Sequence, residues 1–360
     1  MGSCDFCKKE SSGKLKSCVC GKASYCSKEC QAKDWKAHKP SCHLFVIRES
    51  PGKGRGLFAT RRIKEGQIIL EEYPLLAQSA CPFLEANPFP NIDADTKAKI
   101  LQLHDPAENL KTLDSKTVKD MVRRNPVVFF WKQDQGDEKN KILRIFTGDS
   151  IHICEVQGLY DTFEAGLYHK IALINHACVP NTSRSWVMGD FQKQQLRAMM
   201  VIEKDEEILI NYQTAPWFIY GSRESRRREL LQKDGFVCEC SECSLEGWQL
   251  EDSDGMRADI REKEAEFDQL LSCEGPGPVP RKDVKKALKL SQQRVKIIQK
   301  LNLRAEFVGE MIKFSHSAMT ARESGIICEN DPEVFEREAL KYAKMFGDRY
   351  IHFYNRSFTN

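Results

Sequence analysis

The sequence predicts an α+β fold: a β-rich central domain with a zinc-binding finger before it, a helical insert within it and a helical region after it. Three observations predict this. Cysteines gather in two places, 4–42 and 178–243, while Cys81, Cys154, Cys273 and Cys328 stand apart and read as buried or ordinary thiols. Short β-branched and aromatic runs, punctuated by glycine and proline, fill 44–80 and 146–243. Beyond Cys243, apolar residues recur at helical spacing.

Residues 1–43 form the finger. Their ligand pairs are Cys4-x2-Cys7, Cys18-x-Cys20, Cys26-x3-Cys30 and His38-x3-Cys42, enough for two tetrahedral zinc ions. Consecutive pairs of this kind commonly cross-brace. That groups Cys4, Cys7, Cys26 and Cys30 on one ion and Cys18, Cys20, His38 and Cys42 on the other. A segment of about forty residues has too little core to fold unaided, so metal binding supplies its folding energy. Its nine lysines partly offset the thiolate charge, leaving the loaded finger mildly basic.

Residues 44–80 read as strand–turn–strand: "HLFVIRES", "PGKGRGLFAT" and "EGQIILEEYPLL", with turns at Pro51, Gly52, Gly54, Gly56 and Gly66. In 81–145, "DADTKAKILQLH" and "DSKTVKDMVRRN" read as helices capped by Asp93 and by Asp114 or Ser115. "DQGDEKNK" reads as an exposed loop. Residues 146–215 return to strands, with a hairpin turning at Gly189-Asp190 and a strand in "EEILINY". Residues 216–243 hold the second cysteine set. Residues 244–360 read as three or four amphipathic helices with a linker at Glu274 to Pro280. One helix shows Val284, Ala287, Leu288, Val295, Ile298 and Leu301 on one face.

Bulk properties exclude some functions. No apolar run reaches 18 residues, so no membrane span is expected. "MGSCDFCKKE" lacks an apolar stretch, so a reducing compartment, cytoplasm and/or nucleus, is expected. Clustered cysteines there bind metal rather than pair as disulfides. A net charge of +3 gives no footing for direct nucleic-acid binding, and a monomer is expected.

The second cluster, "FVCECSEC", supplies Cys238, Cys240 and Cys243, one ligand short of a tetrahedral site. Cys178 in "INHACVPN" is the natural fourth. That brings the expected total to three zinc ions.

The text "YCSKECQAKDWKAHKPSC" closely resembles the MYND zinc finger, including Gln31, Trp35 and His38-Lys39. "GKGRGLFAT", "NHACVPN", "DEEILINY" and "FVCECSEC" resemble, in order, four motifs of the SET domain, the lysine methyltransferase fold. Together they identify the chain as similar to the SET and MYND (SMYD) family over about residues 1–243. The finger preceding the whole SET region resembles the order in arthropod and other invertebrate members. The family usually places two residues between the second cysteine pair; here only Val19 intervenes. Ala177 replaces a usual serine, and Asp149 and Ile151 stand where the family tends to have Asn and Phe.

The resemblance implies S-adenosyl-L-methionine as cofactor and a protein lysine, histone or non-histone, as substrate. Its cofactor contacts would be Lys53, Gly54, Arg55, Gly56, Asn175, His176, Tyr212 and Phe236. Asn175 and the His176 backbone would hold the cofactor, and Phe236 would stack on its adenine. Lys53 and Arg55 would reach its carboxylate or cover the adenine. Tyr212 is the implied catalytic hydroxyl, with Phe218 and Tyr220 as candidates to line the lysine channel. The finger is expected to bind short, proline-containing peptides. An alternative follows: a peptide-binding adaptor with a weak or inactive SET scaffold. The arginine run at 223–228 reads as a solvated helix face.

Overall fold

Two ribbons and a helix build the finger: β1 (Gly2–Ser3) pairs with β2 (Glu10–Ser11), and β3 (Lys16–Ser17) with β4 (Ser24–Tyr25). Helix α1 (Lys28–His38) starts where Ser27 accepts a hydrogen bond from the Cys30 amide. The computed structural model describes residues 2–11, 15–18, 23–39, 42, 44–79, 92–124, 138–149, 151–152, 164–187, 190–271, 280–323 and 332–346. Cys20, Cys81, Cys154, Cys273, Cys328, Gly189 and the linker at 274–279 lie outside them.

The central domain is three small sheets. Strands β5 (Phe45–Ser50) and β6 (Gly54–Ala59) form the predicted hairpin. They are followed by β7 (Ile68–Glu72) and β8 (Leu76–Ser79). Later come β9 (Ile151–His152), β10 (Glu164–Leu167), β11 (Asn175–His176), β12 (Thr182–Val187), β13 (Asp190–Ala198) and β14 (Glu207–Ile210). The sheet orders are β11-β14-β6-β5, β12-β13-β7 and β8-β10-β9. Pairing is antiparallel except between β11 and β14, where Asn175 lies beside Leu209 and His176 beside Ile210. The predicted β12–β13 hairpin is present, with Val187 opposite Asp190.

The insert contributes α2 (Ala94–Ile100), α3 (Ala107–Thr112), α4 (Ser115–Arg124) and α5 (Glu138–Asp149). Asp93 caps α2 and Asp114 caps α4, each carboxylate taking two amide hydrogens. The second half of "DQGDEKNK", expected as loop, instead opens α5. Ile142, Ile145 and Phe146 recur at helical spacing just beyond the charged stretch and are buried, so packing extends the helix back through it. That helix also runs through residue 145, where composition had placed the end of the insert. A two-pronged ion pair, Arg144 Nε and Nη2 to Asp105 at 2.9 and 2.7 Å, ties α5 to the segment before α3.

Past the sheets, α6 (Pro216–Ile219) and α7 (Arg223–Asp234) lead to the second cysteine set. Four long helices follow: α8 (Gly247–Leu271), α9 (Arg281–Lys300), α10 (Arg304–Glu323) and α11 (Pro332–Phe346), each packed on its neighbour in sequence. No described helix is long and apolar enough to cross a membrane.

The described residues form two main cores. One lies among the sheets and insert helices, around Leu57, Ile69, Phe146, Tyr168 and Leu196. The other joins Cys178, Phe218, Leu230 and Cys238 to Ile298, Val308 and Met311, so the second cysteine set and the C-terminal helices share one interior.

Candidate functional site

Three sets of potential metal ligands converge: Cys4, Cys7, Cys26 and Cys30; Cys18, His38 and Cys42; and Cys178, Cys238, Cys240 and Cys243. Sulfur separations are 3.7 Å for Cys7–Cys26, 3.5 Å for Cys26–Cys30, 3.6 Å for Cys18–Cys42 and 3.5 Å for Cys178–Cys243. A disulfide would need about 2.05 Å. Four sulfurs at about 2.3 Å from a tetrahedral zinc stand roughly 3.8 Å apart. The thiols therefore fit zinc. Spacing groups Cys20 with Cys18, His38 and Cys42, and it lies outside the described residues. The third set joins residues 65 positions apart, Cys178 and Cys243, and all four of its thiols are buried.

Beside that third set lies the segment "INHACVPN". Its polar side chains hold the sheet together. Asn181 takes the Leu209 amide at 2.9 Å and donates to the Glu207 carbonyl at 2.8 Å. Asn175 Nδ2 donates to the Arg55 carbonyl at 3.1 Å and to Glu207 Oε1 at 2.7 Å. His176 accepts the Tyr212 amide at Nδ1, 3.1 Å away, which leaves its proton on Nε2, 3.5 Å from Cys178 Sγ. One imidazole thus spans from a thiol to the backbone of Tyr212. Burial pushes its pKa down to about 4, keeping it neutral.

Around this imidazole three aromatic rings converge. Tyr212, Phe218 and Phe236 have centroids 5.2, 6.1 and 6.1 Å from His176, and Phe236 meets Tyr212 edge-on at 6.2 Å. The Tyr212 hydroxyl donates to the Ile174 carbonyl at 2.9 Å. Its acidity is suppressed first by burial, then by the charges of Asp149, Asp234 and Glu207. Phe236 reaches the cluster because Gly235 ends α7 in the left-handed conformation, φ +77°.

The glycine motif lies against the same place for two different reasons. Gly54 has φ +72°, a backbone region that favours glycine, with open space where a side chain would point. Gly56 is needed because an added Cβ would stand 2.5 Å from Glu207 Oε1 and 2.9 Å from Asn175 Nδ2. The close approach is thus to the protein's own side chains. Lys53 is turned to Glu207, Nζ to Oε2 3.2 Å, and Arg55 donates to the Gln102 carbonyl of the insert. Glu207, at the centre of these contacts, was not singled out in the sequence. Its one signal is a carboxylate at the first position of a strand whose alternate residues, Ile208 and Ile210, are buried.

Tyr220 is buried in the core it shares with Phe218 and the C-terminal helices. One expectation is corrected: the arginine run is not a solvated face, since Arg226 is 1% exposed and lies beside the second cysteine set. Its signal was Leu230, one turn on and fully buried, which puts Arg226 on the inward face of α7. The charge of Asp149 acts on Tyr212 of the aromatic cluster. Burial first, then Asp234, holds its carboxyl well above the usual range, and burial lifts Asp234 to about 6.

The MYND finger family matches residues 4–42 and the SET domain family matches 54–213. Among similar proteins are histone-lysine N-methyltransferase ASHR1 of Arabidopsis thaliana, 26% identical across 67% of this chain and 46% of its own length. N-lysine methyltransferase SMYD2 of Homo sapiens is 26% identical across 72% of this chain and 53% of its own. Histone-lysine N-methyltransferase SMYD3 of Mus musculus is 26% identical across 68% and 52%. The chain thus spans about half the length of the curated relatives it matches. With a MYND finger match and a SET domain match in one chain, and with such relatives, the chain is similar to the SET and MYND domain (SMYD) proteins.

Proposed function

We propose that this chain is an S-adenosyl-L-methionine-dependent protein-lysine N-methyltransferase acting on histone or non-histone lysines. The observation that carries the reading is the convergence of Asn175, His176, Tyr212 and Phe236 from three separated stretches onto one spot beside the β6 glycines. The lysine methyltransferase names of the similar proteins support it.

The donor set fits the cofactor: a half-buried aromatic ring at Phe236, a carboxamide at Asn175 and an ammonium at Lys53. Bound S-adenosylmethionine supplies an electrophilic methyl group on a sulfonium centre. Phe236 offers a flat apolar face to an adenine. Asn175 is fixed by Glu207 and the Arg55 carbonyl, so its amide is preorganised. Free lysine has a pKa of about 10.4, so a substrate amine must shed its proton before attack, and an apolar aromatic lining assists that. Tyr212 stays protonated, since burial raises its pKa; its hydroxyl positions the amine and the methyl group rather than acting as a base. His176 sets the Tyr212 backbone.

Calorimetry of zinc-loaded protein with S-adenosylmethionine and S-adenosylhomocysteine, followed by methyl transfer to lysine peptides and whole histones, tests the reading. Binding and transfer are the expected result. A second reading, a peptide-binding adaptor, is favoured by Phe6 and Trp35, two exposed aromatics on the finger suited to proline-containing peptides. No heat with either cofactor form, in protein holding three zincs, would select it. On either reading the chain is expected to act as a monomer in cytoplasm or nucleus, without direct nucleic-acid binding.

A further inference from the structure

The Cys178–Cys238–Cys240–Cys243 centre raises a charge problem. Zinc takes its cysteines as thiolates, so four thiolates on one Zn²⁺ leave a net −2. All four sulfurs are buried, and a buried charge without a partner is costly. Something nearby must offset it.

Arg226 is placed to do so. Its side chain is fully buried, and Nη2 stands 4.0 Å from Cys243 Sγ. Nη1 donates to the Gly221 carbonyl, which fixes the guanidinium in place. The alternative partner, Asp254, is weaker: it stands 3.9 Å away, is partly exposed, and its Oδ1 already accepts the Arg223 amide at 2.8 Å. The other buried guanidinium of this neighbourhood, Arg257, is paired to Glu242 at 3.0 Å. The same helix also grips the ligand loop by its backbone. Arg227 donates to the Cys238 carbonyl at 2.9 Å and the Cys243 carbonyl at 3.1 Å, and Arg223 to the Leu245 carbonyl at 2.9 Å.

We propose that Arg226 is the resident counter-ion of the second zinc–thiolate centre, a positioning residue whose charge retains the metal and, through Cys238 and Cys178, keeps Phe236 and His176 in register. The role is independent of whether methyl transfer occurs. It rests on zinc being held by these four thiols, so metal content of the full chain is measured first; two zincs per chain instead of three would remove the site and the proposal with it.

The test is zinc release to a chromogenic chelator from the full chain. In Arg226→Met, one of three equivalents should leave faster, on the order of 10- to 100-fold, as when outer partners of a metal ligand are removed. Arg226→Lys keeps the charge and should release close to the wild-type rate. Release from Arg226→Met at the wild-type rate overturns the proposal. So does Arg226→Lys as labile as Arg226→Met, since that assigns the effect to shape. A second readout separates charge from packing. In the cobalt-substituted protein, losing the guanidinium should move the sulfur-to-cobalt charge-transfer band to lower energy. An unmoved band overturns the proposal even where release is faster. Should Arg226→Met fail to fold, Arg226→Lys decides: retention of the third zinc supports the assignment and its loss ends it.

Discussion

At the scale of single residues, the hydroxyl of Tyr212 and the missing side chain at Gly56 make the sharpest predictions. Tyr212→Phe should lower turnover by a large factor, with cofactor affinity and circular dichroism little changed; unchanged turnover in a methyl-transfer assay would remove Tyr212 from catalysis. Gly56→Ala drives a methyl into Glu207 and Asn175. Overpacking of this kind costs about 1–3 kcal/mol, and it displaces the carboxamide that the cofactor would use. Calorimetry should show weaker S-adenosylmethionine binding with the fold retained. Asp234 gives a pH dependence. Burial raises its folded pKa from 3.8 to about 6, so the folded chain holds that proton more tightly than the unfolded one. The resulting loss of stability is absent below the unfolded pKa and complete above the folded one. Asp234→Asn should therefore raise the melting temperature at pH 7.5, with roughly half of that gain remaining near pH 5. A gain that grows as pH falls would contradict the assignment.

At the scale of elements, the C-terminal helices are pinned by charge as well as by apolar packing. Arg294 of α9 is fully buried and bonds Glu310 of α10 at 2.9 Å and Glu264 of α8 at 3.0 Å. Removing one partner of such a pair strands the other, at about 3–5 kcal/mol. Arg294→Met should lose that much in denaturant unfolding, and Arg294→Met with Glu310→Met should regain most of it. Elements differed in how plainly the sequence announced them. Cysteine spacing, the glycine motif and the caps Asp93 and Asp114 are local chemistry, so residues three or four apart revealed them. Helix α5 was half hidden because a charged stretch outweighed the apolar spacing that follows it. Arg294 and Glu207 escaped notice, and Arg226 was read as solvated, for another reason. A buried charge looks like a surface charge until the partner that neutralises it, often dozens of residues away, is brought alongside.

At the scale of the whole molecule, the second cysteine set is where finger-like chemistry, sheet and helices meet. Its thiols share one interior with Leu230, Ile298 and Val308, so the helical region and the aromatic cluster rest on common packing. Metal analysis should return three zincs per chain. Stripping them with a chelator should unfold the finger and, separately, weaken cofactor binding through the loosened Phe236. The parallel contact of β11 with β14, the glycines of β6 and the thiols after α7 all belong to one assembly. The glycines, the thiols and their grouping with Cys178 were legible in the sequence through motif and spacing; the parallel pairing of β11 with β14 was not, because nothing local specifies which distant strands will pair.

Cys178 has its metal partners 62 and 65 residues further along, at Cys240 and Cys243. During synthesis, Asn175, His176 and Tyr212 therefore leave the ribosome well before the clamp that aligns them exists. On the proposed reading, full-length protein made without zinc should bind S-adenosylmethionine weakly and recover binding when zinc is added back, without new translation.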